Sequence, residues 1–384
     1  MAGNGSTRVF PHLELIFFFN FLDDFWRPAI ESIETLTGLI IRIPVLPTVL
    51  RLNFLVALIQ VFLIIENFTF SFFIRHAWEF ALNMTGISYM ALFSCRHDIA
   101  ETLAYFKETH SWDSYSMGRK IHQKIKCDAA GKIALFALFC LLGLALNIMA
   151  GIFYSDIMQR EFLIQRAMPE SFSHTKLSYL LMFGLTLTDT VGIFTVFRYF
   201  YHVVHLRYQF LLLREYVRRA ARKSGSDEQK EVVAMVWRRH QVLKEWSLVV
   251  MEIGKTVLLT QITFGGFFVI CTSLRAIFIP EMRVLFGSVL LFQLAYVHCL
   301  TYFGQNFENM FEELYEATVQ AFDWFEWDTE SVKNYMFVIQ NMQKVLKMEI
   351  PMFISLNYIT EVRILKGSYA LGSMIVSIAA RNSY

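Results

Sequence analysis

The sequence predicts an all-α membrane protein with seven transmembrane helices, its N-terminus cytoplasmic and its C-terminus extracellular. Three observations carry that prediction. Hydrophobic residues make up 55% of the chain and charged residues only 18%, with a mean hydropathy of +0.42, whereas soluble chains carry about 25% charge. The charge is also missing in blocks: Leu52–Ile65, Ile133–Ser155, Leu177–Thr188 and Thr256–Leu274 contain no Asp, Glu, Lys or Arg. Lys and Arg, finally, gather in alternate intervals between the apolar runs, roughly four to one on one side, which marks the cytoplasmic face.

Residues 1–51 read as a cytoplasmic segment approaching the membrane. Met1–Arg8 is short and polar, and Glu14, Asp23 and Asp24 interrupt the apolar stretch after it, so no cleavable signal is expected. Leu36–Leu50 is apolar but holds Arg42, Pro44 and Pro47. An interior proline removes a helix hydrogen bond and clashes with the preceding turn, so this stretch is expected to lie along the membrane surface. Residues 52–204 hold four spans, at 52–74, 77–95, 132–154 and 177–204, each reaching the roughly 20 apolar residues that cross the hydrocarbon layer. The first two join at Arg75 and His76, and Asn67-Phe68-Thr69 is a glycosylation sequon close to the outer membrane face. Asp189 inside the fourth run is expected to be paired or to face water. His202 and His205 sit at the cytoplasmic end of that span, and two histidines alone do not make a metal site.

The intervals on the cytoplasmic side are not simple linkers. Ile99–Lys126 and Leu206–Trp246 carry apolar residues among charges at helical spacing, with Ser224-Gly225-Ser226 as the clear break. They predict spans that continue as helices beyond the bilayer, so 205–249 forms a cytoplasmic helical segment between the fourth span and the fifth. Residues 250–304 hold spans at 250–278 and 284–304. Residues 305–350 form a second cytoplasmic segment, whose cluster Phe322, Trp324, Phe325 and Trp327 suits a buried or interfacial surface. Those apolar faces need a cover, within the subunit or between subunits.

Residues 351–384 hold the last span, at 351–377, and a short extracellular tail. This span differs from the others in carrying Glu361, Arg363, Lys366, Ser368 and Ser373, with Gly367 and Gly372. Ionisable residues within a span face protein or water rather than lipid. One reading is a bundle-facing pair of Glu361 with Arg363 or Lys366. The other is a helix whose second half lines an aqueous path, with small residues leaving room for close approach or for ions.

Several classes drop out. A net charge of +2 gives no reason to expect a nucleic-acid partner. Cys95, Cys127, Cys140, Cys271 and Cys299 form neither a disulfide framework nor a CxxC metal site. A phosphate loop, a nucleophile elbow and a paired-carboxylate arrangement are all missing, so neither an enzyme nor a cofactor is expected. A cytoplasmic N-terminus argues against a G-protein-coupled receptor, as does the lack of an Asp-Arg-Tyr triplet or an Asn-Pro-x-x-Tyr motif where that class needs them. A secondary transporter would show internal repeats; none is evident in the sequence, which disfavours that class and leaves it as an alternative.

The order of short elements resembles the insect odorant receptor family over nearly the whole chain. The resemblance is carried by Thr188-Asp189-Thr190 through Tyr208-Gln209-Phe210, His240-Gln241, Cys271, Tyr302 with Gly304, Trp324, Gln340–Lys347 and Ile364-Leu365-Lys366-Gly367-Ser368-Tyr369. It implies a tuning subunit of an odorant-gated, non-selective cation channel, a hetero-tetramer with a co-receptor in the plasma membrane of a sensory dendrite. In that family the cytoplasmic helices form an anchor and the last span lines the pore. The pore-facing candidates here are Gly372, Ile375 and Val376. A ligand pocket for small volatile hydrophobes would lie in the outer half of the bundle. Its candidates are Phe80, Met84, Ile87 and Ser88, then Met149 and Phe153, Tyr179 and Phe183, and Phe286. The related gustatory receptors share this architecture and are the alternative, as is a seven-span transporter.

Overall fold

In the computed structural model of this chain the described residues are 45–95, 174–223, 226–350 and 354–382, with further positions scattered over 102–145. Helix α1 spans Val45–Glu66 and α2 spans Phe70–Cys95. Pro47 falls in the first turn of α1, where proline costs no intrahelical bond, so the helix begins earlier than its prolines suggest. The turn between α1 and α2 falls at Asn67–Thr69, and Arg75 and His76 lie inside α2 rather than in a connection. Local capping places it there. The Asn67 side-chain amide donates to the Leu63 carbonyl at 3.1 Å, and Thr69 Oγ1 accepts from the Phe72 amide at 3.2 Å.

Helix α3, His174–Lys223, runs for 50 residues, about 75 Å at 1.5 Å per residue. That is far more than the ~30 Å of hydrocarbon needs. Helix α4, Ser226–Thr260, starts at the last residue of the predicted Ser-Gly-Ser break. It continues through a single π turn, Gln261–Gly265, into α5, Gly266–Phe278. Helix α6, Arg283–Ala321, is the one helix among the described residues long and apolar enough by itself to cross a membrane. Helix α7, Thr329–Met342, is capped by Asp328, whose carboxylate accepts from the Ser331 amide at 2.9 Å and from Lys230 Nζ at 2.8 Å. A two-residue antiparallel ladder, β1 Glu349–Ile350 with β2 Ile354–Ser355, turns the chain into α8, Tyr358–Asn382. The last helix therefore starts later and ends later than the expected 351–377.

Helix α3 packs on α2, α4 and α6, α6 also packs on α5, α7 and α8, and α1 packs on α2. The main core lies at the charge-flanked ends of α3, α4 and α6 together with α7, around Phe210, Trp246, Phe307, Phe311 and Tyr335. Core size follows solvent. Outside a bilayer, apolar faces are driven together by water, whereas within hydrocarbon no such force acts between helices. Accordingly Phe54, Leu58, Phe62 and Ile65 on α1, and Val284 and Leu291 on α6, remain exposed, as a lipid-facing surface requires. Polar ties accompany the core: Glu313 on α6 binds Arg214, and Arg207 Nη2 at 3.7 Å, both on α3. Arg239 Nη2 on α4 donates to Gln209 Oε1 at 2.9 Å.

His240 sits in this core, edge-on to Phe311 and stacked on Trp237. Burial, with Lys244 adding to it, pushes its imidazole from 6.5 down to about 4. The unfolded chain therefore takes up a proton that the folded one refuses, so His240 supports stability above pH 6.5 and that support is lost as pH falls toward 4. The thermal midpoint of the purified protein is expected to fall across that window, and to fall less in His240→Gln. Parallel pH profiles for the two proteins would remove His240 as the cause.

Candidate ligand site and last helix

Phe80, Met84, Ile87 and Ser88 recur at helical spacing on one side of α2. Ile87 is buried, and the other three are half-buried. The Ser88 hydroxyl donates to the Met84 carbonyl at 2.8 Å, so it is satisfied within the helix. Phe286, at the start of α6, is 2% exposed and reaches α2 by another route, edge-on to Trp78 with ring centroids 5.5 Å apart. Two residues along a helix are about 200° apart, so Trp78 and Phe80 face different ways. Phe286 belongs to the α2–α5–α6 seam with Ala77, Trp78, Ala81, Phe268 and Cys271; Met84 and Ser88 continue the Ala77–Ala81 stripe at helical spacing, and Phe80 and Ile87 lie to one side of it. Tyr179 and Phe183 lie on α3, with side chains outside the described set. Met149 and Phe153 lie outside the described residues.

Sequence reading passed over the polar part of that seam. Arg275 on α5 is fully buried, with its guanidinium 4.5 Å from the Phe286 ring centre and 5.1 Å from that of Trp78. Its Nη1 donates to the Arg75 carbonyl at 2.7 Å, which also accepts from Trp78 Nε1 at 3.1 Å. On another side of α2, Glu79 and His76 are also fully buried and approach each other at 3.4 Å. The signal available was their cost: ionisable residues at the ends of apolar runs mark places where protein must supply the partners.

Helix α8 packs against α5 and α6 through one narrow face. Thr360 is buried and Glu361, Ile364, Ser368 and Gly372 are half-buried, while Ile359, Val362, Arg363, Leu365, Lys366, Tyr369 and Met374 are exposed. Of the two readings of this span, the pairing of Glu361 with Arg363 or Lys366 is not the one formed. The Glu361 carboxylate meets His298 Nδ1 at 2.9 Å and accepts from the Thr301 hydroxyl at 2.8 Å, both on α6. Arg363 and Lys366 lie two and five residues on, not the three or four at which helix side chains meet, and the neighbouring helix offers better partners. A Cβ at Gly372 would meet nothing within 4 Å. Ile375 and Val376 lie on α8, with side chains outside the described set. Among the described residues no group of three or more His, Cys, Asp or Glu could hold a metal ion.

Long helices with an apolar outer surface, a core concentrated beyond the apolar stretches and a mixed-polarity last helix define a multi-pass, all-α membrane protein. The 7tm Odorant receptor family model matches residues 102–369. The chain belongs to the odorant receptor family, which is not a family of enzymes. The insect olfactory receptor OR5 from Machilis hrabei has a similar fold, with a TM-score of 0.68 and 9% identity over 86% of this chain and 88% of that one. The same receptor in complex with eugenol matches with a TM-score of 0.67, at the same identity and coverage. No curated protein sequence matches the chain.

Proposed function

We propose that this chain is a tuning subunit of an odorant-gated, non-selective cation channel in the plasma membrane, assembled as a hetero-tetramer with a co-receptor. Seven spans cross the bilayer with the N-terminus inside, and α8 borders a central pore. The observation that carries this reading is α8 itself. It exposes both aliphatic residues and the charged Arg363 and Lys366 while packing on its own subunit through one face. A helix of that kind at the edge of a single bundle needs other subunits and water around it. Gly372, Ile375 and Val376 are the proposed pore residues, with the two aliphatic side chains forming a gate that excludes water until it widens.

A small volatile hydrophobe is proposed to bind in the outer bundle against Phe80, Met84, Ile87 and Ser88, with Met149, Phe153, Tyr179, Phe183 and Phe286 as the further candidates. Aromatic and thioether surface with few polar groups suits such a ligand, and the eugenol complex of the structurally similar receptor supports a small-molecule site in this fold. Opening is a population shift, limited by the difference in odorant affinity between the closed and open arrangements.

Whole-cell recording tests this. Cells expressing the chain with a co-receptor are expected to give odorant-evoked cation current that cells expressing the chain alone do not. Met84→Ala is expected to raise the half-maximal odorant concentration about tenfold, the effect of losing a buried apolar contact. Unchanged sensitivity at normal surface density would place the ligand elsewhere. Current from the chain alone would make it a homomeric channel, and responses to sugars instead of volatiles would favour the gustatory alternative.

A further inference from the structure

A cavity of about 60 Å³ lies between α5, α6 and α8, walled by Gly266 and Val269, Leu294 and Val297, and Ile364 and Leu365. It is separate from the proposed odorant site, since Leu294 is about 12 Å further along α6 than Phe286. One water needs only about 10–15 Å³ of such space, so there is room for a guest. In a chain with 38 Phe, 16 Tyr and 7 Trp, no aromatic ring is among the residues that line it. Its polar margin is Gln261, Thr301 and Ser368 in an otherwise apolar wall, and the Thr301 hydroxyl is committed to Glu361 at 2.8 Å. An aliphatic cavity of this kind stays dry and takes apolar guests. Walls of branched methyl groups without ring faces suit a slender, flexible chain better than a planar aromatic. Leu294 is half-buried and one turn from the exposed Leu291 of α6, so the cavity has a rim on the lipid-facing surface of that helix.

We propose that this cavity between α5, α6 and α8 is a second ligand site, taking a saturated alkyl chain from a phospholipid tail or a free aliphatic alcohol. The cavity wall formed by Ile364 and Leu365 flanks Glu361, which ties α8 to His298 and Thr301. An occupant therefore sets the spacing of α8 from α5 and α6. Its effect on current rests on the channel reading above; its binding does not.

Gly266 makes the site testable. A Cβ there meets nothing within 4 Å, so Gly266→Leu extends a side chain into the cavity from its α5 wall. Ser368→Leu does the same from α8. The experiment is photo-crosslinking of the purified full chain in lipid nanodiscs, with labelled peptides mapped by mass spectrometry. One arm uses dodecanol bearing a mid-chain diazirine, and the other a phosphatidylcholine with the diazirine in its acyl tail. Label is expected on the peptides containing Leu294–Val297 and Ile364–Leu365. Competition by unlabelled dodecanol in the first arm identifies a free ligand, and labelling in the second arm a lipid tail. Each leucine variant is expected to lower the label about tenfold, as excluding roughly two methylene groups would. The proposal is overturned if neither arm labels those peptides, or if both variants fold and label like the parent chain. Neither result depends on whether any odorant evokes current.

Discussion

Gly304→Ala is expected to abolish delivery of the protein to the cell surface. A Cβ at this position would stand 2.0 Å from the Leu356 carbonyl oxygen, 2.7 Å from Leu356 Cγ and 2.9 Å from the Leu356 carbonyl carbon. Two of these are backbone atoms, and that backbone is fixed from both sides. The Leu356 amide donates to the Met348 carbonyl at 2.8 Å, and the preceding residues pair in the Glu349–Ser355 ladder. The Leu356 side chain is 2% exposed and also has no room to withdraw. Overpacking costs about 1–3 kcal/mol when side chains can adjust; here the backbone must move, so the upper end or more is expected. The displaced segment leads directly into α8, so the fold and the pore helix would be disturbed together. Surface biotinylation and the thermal midpoint in detergent check this, with Gly367→Ala as the contrast. Open space surrounds Gly367 on α8, and alanine in a helix is favoured over glycine by roughly 0.5–1 kcal/mol. Equal midpoints for the two variants would refute the packing argument.

The sequence made the long helices legible and some of their ends illegible, for different physical reasons. Continuous helical spacing from the fourth span into Leu206–Trp246, with Ser224-Gly225-Ser226 as its interruption, indicated α3 and α4 because apolar periodicity and glycine act locally. The turn between α1 and α2 was misplaced because Arg75 and His76 report where charge occurs, while a helix ends where its backbone groups find other partners. At Asn67 and Thr69 those partners are side chains of modest signal strength. The site shows a sharper limit. Phe286 was proposed from its depth and aromatic character, but its neighbour Arg275 meets Arg75 from 200 positions away in sequence, and no local pattern encodes that meeting. Glu361 makes the same point: its ionisable sequence neighbours, Arg363 and Lys366, project to the exposed side, and its hydrogen-bond partners arrive on α6.

The second large effect is expected at Arg275. Arg275→Leu should lower the thermal midpoint sharply, because the guanidinium does three things no aliphatic side chain repeats. It donates to the Arg75 carbonyl, fills the space between the Trp78 and Phe286 rings, and carries a positive charge against α2, the helix that also buries Glu79. If the Glu79 carboxylate is the charge it balances, removing Arg275 alone costs about 3–5 kcal/mol, because the remaining charge stays out of water. Arg275→Lys keeps the charge but loses the planar stacking and the fork of donors, and an intermediate loss is expected. The decisive measurement is the double variant Arg275→Leu with Glu79→Leu. If Arg275 acts by balancing the Glu79 carboxylate, removing both charges restores much of the midpoint, since a buried ion pair replaced by apolar residues is often neutral or better. Additive losses in the double variant would show that the two charges are not coupled. Arg275 would then serve as a packing and hydrogen-bonding element between α2, α5 and α6, with its charge incidental to the seam.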